Sequence, residues 1–177
     1  MAADGASGSG IAMMPAQVLR WSATAAIAGG ILFPVGIALH PLRHGEAVVA
    51  SAYSAIHLLI GLGLFLVLFG LVGIYAHIGD RLGRIGRYGF AFSFAGNVWT
   101  YGLIVTEGFL WPAVGQHDVA AVHNFDHGPA FFTFFVGPAL FGIGYAMLGG
   151  AIARFALGPQ NWMFRCLITR AATCERP

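Results

Sequence analysis

The residue that most constrains the chemistry of this chain is Glu107, in the stretch LIVTEGFLWPAV from Leu103 to Val114. That stretch otherwise reads as the end of a membrane-spanning helix. A carboxylate in hydrocarbon is costly, so such a residue faces inward and meets a partner. The partner offered by the sequence is His57, in a second apolar run. Glu107 falls about seven residues past the middle of its run, roughly 10 Å along a helix, and His57 falls about seven residues before the middle of an oppositely directed run. The two are expected at one depth. Gly61, one turn beyond His57, leaves room there for a close neighbour.

Further histidines gather on the same side. His40 and His44 lie in LHPLRHGE with Glu46, and His117, Asp118, His123, Asp126 and His127 lie in GQHDVAAVHNFDHGP; only His77 lies elsewhere. His123 and His127 are spaced i, i+4, a spacing that metals use on one helical face. Asp118 is placed to cap such a helix, and Gly128–Pro129 to end it. Three readings compete. In the first, His57 and Glu107 clasp two helices together by a hydrogen bond, and the loop histidines are polar surface. In the second, His57 holds a transition metal or haem, with His40, His123, His127 or Glu107 assisting. In the third, the outer leaflet carries a site for a small molecule, a quinone or a proton. No zinc, haem or copper motif is complete.

These residues need helices in lipid to position them. Of 177 residues, 58% are hydrophobic and only 9% charged, with a mean hydropathy of +0.75. Soluble domains carry roughly a quarter charged residues, so this chain has too few to cover a watery surface. Four apolar runs reach the ~20 residues that a spanning helix needs: Trp21–Leu39, Tyr53–Tyr75, Gly89–Trp111 and Ala130–Ala153. Pro34 is expected to kink the first, which reads as a retained span rather than a cleaved signal peptide. The expected fold is an all-α integral membrane four-helix bundle.

Orientation follows from arginine, the only basic residue besides histidine. Arg81, Arg84 and Arg87 crowd the second loop, Arg20 precedes the first span, and Arg154, Arg165, Arg170 and Arg176 follow the fourth; Arg43 alone lies opposite. Positive charge stays inside, so both termini and the second loop are expected in the cytoplasm, and the His40–Ala52 and Pro112–Pro129 loops outside. Residues 1–19 read as a disordered tail, 20–153 as the bundle and 154–177 as a cytoplasmic tail, with a short interfacial helix around Trp162–Thr169. Cys166 and Cys174 fit no metal or redox motif. The lack of lysine with abundant Ala and Gly points to a high-GC bacterium, hence to a bacterial inner membrane.

Packing in lipid relies on small residues and polar contacts. A 3–4 stripe of Ser22, Ala25, Gly29, Leu32 and Gly36 marks the first span, and Thr133, Gly137, Leu140, Gly144, Met147 and Ala151 the fourth. Gly142, Ala146 and Gly150 give a second small face for another subunit or another copy of this chain. The third span differs. Its stripe of Phe90, Ser93, Asn97, Thr100, Ile104, Glu107 and Trp111 collects most of its polar residues. Asn97 and Thr100 are therefore grouped with His57 and Glu107 in one polar pocket.

The segments LHP, HLLIGLGLFLVLFGLVGIY and TEGFLWPA resemble a loose set of uncharacterised four-helix bacterial inner-membrane proteins, over about residues 20 to 157. The resemblance implies the bundle and no activity. No phosphate loop, nucleophilic triad or nucleic-acid surface is present in the sequence. The leading expectation is non-enzymatic: a small binding protein or accessory subunit in the lipid bilayer. The alternative is a membrane redox, metal or haem protein.

Overall fold

The computed structural model describes residues 16–41 and 45–157. It is all-α: no strand occurs among the described residues. Helix α1 spans Ala16–Leu39, α2 Tyr53–Ile78, α3 Gly83–Val105, α4 Trp111–Gly115, α5 Val119–His127 and α6 Thr133–Leu157. The expected interfacial helix at Trp162–Thr169, most of both tails, His44 and the two cysteines lie outside the described residues.

Three helical segments are long and apolar enough to cross a membrane: Ala16–Leu39, Tyr53–Arg81 and Thr133–Ala156. The third expected span does not join them. At 23 residues α3 has the length, but Arg84, Arg87, Ser93 and Asn97 dilute its apolar character. The third loop is also not a loop. It folds into α4, α5 and a 3-10 turn at Pro129–Phe132. Asp118 caps α5 as the sequence suggests, accepting a hydrogen bond from the Ala121 N–H at 3.0 Å. Asp118→Ala is expected to cost about 1 kcal/mol of local helix stability, measurable as faster amide exchange at Ala121.

The long helices pack as two antiparallel pairs, α1 on α2 and α3 on α6, and the pairs meet chiefly where α2 touches α3. Glycine makes each seam close. A Cβ on Gly29 would come within 2.6 Å of the Gly63 carbonyl oxygen and the Val67 nitrogen; one on Gly63 would lie 2.6 Å from the Phe33 nitrogen. On the other seam, a Cβ on Gly89 would lie 2.5 Å from the Leu148 nitrogen, and one on Gly144 would run into the Ser93 backbone. The small-residue stripes of the sequence are thus the seams. By contrast, Gly142, Gly149 and Gly150 face open space.

Three apolar clusters follow one another along the molecule. Leu71, Leu82, Leu148 and Ala151 form the cluster near the arginine-rich turns, Ile60, Leu64 and Ile104 the next, and Val48, Tyr53, Trp111 and Val122 the last. His57 lies on α2 between Tyr53 and Ile60. Glu107 lies between Ile104 and Trp111. The polar layer that they form is sandwiched between two dry ones.

Candidate metal centre

Glu107 does not sit in regular α-helix. Between α3 and α4 the chain makes one π turn, Thr106–Leu110, in which the Trp111 N–H donates to the Thr106 carbonyl, a five-residue step. Pro112 supplies a local cause: proline lacks an N–H and its ring collides with the carbonyl four residues back, here that of Gly108. A wider turn relieves both defects, and single π turns recur at functional sites. Gly108 then meets α2 directly. A Cβ there would fall 2.5 Å from the His57 Cβ. Gly61, expected to provide the close approach, would make only ordinary contact, 3.7 Å from the Tyr101 ring. The tight contact comes from the partner helix instead.

His57 and Glu107 meet as their matched depth predicts. His57 Nε2 lies 3.1 Å from Glu107 Oε2, and their side chains are 0% and 6% exposed. His40, the residue just beyond α1, completes the group. Its Nε2 is 3.1 Å from His57 Nε2 and 3.4 Å from Glu107 Oε2. These three are a group of His and carboxylate ligand atoms mutually close enough to share one metal ion. At 21% exposure, the His40 side chain is the solvent-facing member and the way in.

Tautomerism gives the arrangement its meaning. His57 Nδ1 is 2.8 Å from the Tyr53 carbonyl oxygen. A carbonyl only accepts, so Nδ1 carries the proton. In neutral His57 the lone pair is on Nε2, aimed at the Glu107 oxygen and at His40. Fixing one ring nitrogen on a backbone carbonyl while the other faces a metal is the usual outer-shell device of metal sites.

The triangle of donor atoms has the size of a coordination face. Its sides are 3.1, 3.1 and 3.4 Å. At that spacing the three residues would hold one ion together at ordinary metal–ligand distances of about 2.0–2.1 Å, and three protein ligands would leave a further coordination position open. The surroundings are dry: the Tyr53 ring centroid is 4.2 Å from that of His57, and Trp111, Val48 and Val122 pack with Tyr53.

The other expected site residues lie elsewhere. Asn97 is buried on the α6 side, donating to the Ser93 carbonyl at 2.8 Å and to the Tyr145 hydroxyl at 3.0 Å. Thr100 donates to the Gly96 carbonyl at 2.7 Å. The single pocket of His57, Glu107, Asn97 and Thr100 is therefore two polar sites. A 3–4 stripe drifts around a 3.6-residue helix, and ten residues carry it from the α6 seam to the α2 seam. His123 and His127 do share a face, with ring centroids 4.2 Å apart, but both are exposed and neither belongs to the buried cluster. Tyr53 and Gly108 are contributors that spacing did not suggest. The four-residue step from Tyr53 to His57 and the proline four residues after Gly108 were the available signals. No protein-family model, curated protein or solved structure matches this chain.

Proposed function

We propose that this chain is a four-helix membrane protein of the bacterial inner membrane that binds one transition-metal ion through His40, His57 and Glu107 near the outer face. The observation that carries the reading is the convergence of His40 Nε2, His57 Nε2 and Glu107 Oε2 within 3.4 Å of one another, with His57 Nδ1 held on the Tyr53 carbonyl behind them. A clasp of two side chains accounts for less, because a second imidazole nitrogen, that of His40, closes on the same point. Haem fits poorly, because two imidazoles on opposite faces of one iron stand about 4 Å apart, against 3.1 Å here. Two histidines and a carboxylate suit zinc or iron(II), and the further position suits water or an exchangeable ligand.

The membrane part rests on the exposed faces. Trp21, Ile27, Ile31, Phe65, Phe135 and Ile143 are each more than half exposed, an unlikely choice for water and a natural one for lipid. In lipid, α3 is the fourth span, with its polar stripe turned to α6 and α2. The arginine-rich turn and both termini are cytoplasmic, as positive charge requires.

The test is metal content. Protein purified in mild detergent, stripped with chelator and titrated with zinc or cobalt(II), is expected to bind one ion per chain. Cobalt should give the intense visible bands of near-tetrahedral coordination. Glu107→Gln should weaken binding by at least tenfold. A chain that takes up no ion, or whose uptake is indifferent to Glu107, would leave the cluster as packing.

A further inference from the structure

A second candidate site lies at the opposite end of the molecule from His57. A cavity of about 500 Å³ opens among the 3-10 turn Gly79–Arg81, the start of α3 and the last turns of α6. Its lining includes Arg81, Arg84 and Arg154 together with the apolar Ala151 and Phe155. We infer that this cavity binds the phosphate headgroup of an anionic glycerophospholipid, with an acyl chain along Ala151 and Phe155.

Three independent features converge there. The first is uncompensated charge. None of the three arginines is ion-paired among the described residues, although Arg84 and Arg154 stand on different helices. Guanidinium groups present planar forks that grip phosphate oxygens two at a time. The second is the backbone. Helix α3 starts at Gly83 with a φ of +65°, after an N-cap residue, Leu82, that supplies no side-chain hydrogen bond. The first N–H groups of a 23-residue helix thus add positive potential to the same cavity. The third is the apolar floor, where Ala151 and Phe155 belong to the cluster around Leu82 and Leu148.

That combination selects among anions. A free phosphate gains nothing from an apolar floor. A nucleic acid would want an extended basic surface with stacking rings, whereas this is one short, open notch with three arginines. A phospholipid satisfies both halves, and basic pockets between helices at the cytoplasmic interface are where anionic headgroups bind. The inference does not depend on the metal site, which lies beyond two apolar clusters.

The experiment is native mass spectrometry of the detergent-solubilised protein with phosphatidylglycerol, phosphatidylcholine or inorganic phosphate added. Wild-type protein is expected to retain phosphatidylglycerol well over phosphatidylcholine, and millimolar phosphate should not displace it. Each arginine removed should weaken retention about fivefold, so that Arg81→Gln/Arg84→Gln/Arg154→Gln loses about a hundredfold. Arg154→Lys, which keeps the charge and is gentle on folding, should fall between wild type and Arg154→Gln. Equal retention of the two lipids, unchanged retention in the triple variant, or displacement by phosphate would each overturn the proposal. Should the triple variant aggregate, the Arg154→Lys and Arg154→Gln pair decides, and equality of both with wild type refutes it.

Discussion

Replacing His57 by alanine is expected to abolish the metal binding proposed for the His40–His57–Glu107 cluster, with affinity falling by at least a hundredfold. Three losses coincide. The candidate ligand itself goes; the Tyr53 carbonyl loses the His57 side-chain N–H; and buried Glu107 loses its 3.1 Å contact with His57 Nε2. Truncating a fully buried side chain of this size also leaves a cavity, which typically costs about 2–5 kcal/mol, so the melting temperature should fall as well. Gly108→Ala separates ligation from mere stability. No ligand changes, yet the added methyl needs the space of the His57 Cβ, 2.5 Å away, and His57 must move. Displacing a group that orients a ligand typically weakens metal binding about 10–100-fold. Competition titration against a chromophoric chelator measures both variants. Wild-type affinity in Gly108→Ala would mean that the geometry of the π turn is irrelevant to binding.

Widening the α1–α2 seam is the second large perturbation. Gly63→Val is expected to destabilise the fold by about 3 kcal/mol or more, because over-packing a tight contact between backbones cannot be relieved by a rotamer change. The Cβ alone would stand 2.6 Å from the Phe33 nitrogen and 2.8 Å from its Cα. His40 follows directly on α1 and His57 is on α2, so the same splaying pulls one proposed metal ligand away from another. Gly63→Val should therefore lose metal affinity although position 63 lies more than a turn from His57. Gly142→Ala is the control, since its methyl would meet nothing within 4 Å and should change stability by less than about 0.5 kcal/mol. Denaturation in detergent, followed by circular dichroism, ranks the two. Equal stability would mean that the glycine seams do not hold the pairs together.

Much of this organisation is legible from residue spacing. Glycine and serine at 3–4 intervals mark the α1 and α6 seams because a helix repeats every 3.6 residues, and any residue type that recurs on that period lands on one face. The pairing of His57 with Glu107 is legible for a similar reason. Depth in an antiparallel pair is arithmetic, at 1.5 Å per residue, and a carboxylate in an apolar run demands a partner. Asp118 announces the start of α5 through its own side chain. All these signals are local or depend on only one axial coordinate.

What the sequence does not determine is azimuth. Asn97 and Glu107 share a stripe on paper, yet ten residues of drift and one π turn send Asn97 to Tyr145 on α6 and Glu107 to His57 on α2. Nothing in the spacing singles out His40 over His123 or His127 as the third member. That choice depends on how α1 ends against α2, which is set by Gly36 on Ile60 and Gly29 on Val67. The close approach likewise passes from the expected Gly61 to Gly108, because a contact belongs to two helices and a sequence describes one at a time. The sequence by itself determined the all-α class, the small-residue seams and the matched depth of His57 and Glu107, since each follows from a period or a length. Only the tertiary structure decided that His57 of α2, Glu107 of the π turn and His40 at the end of α1 meet at one point, since that depends on the rotation of each helix about its own axis.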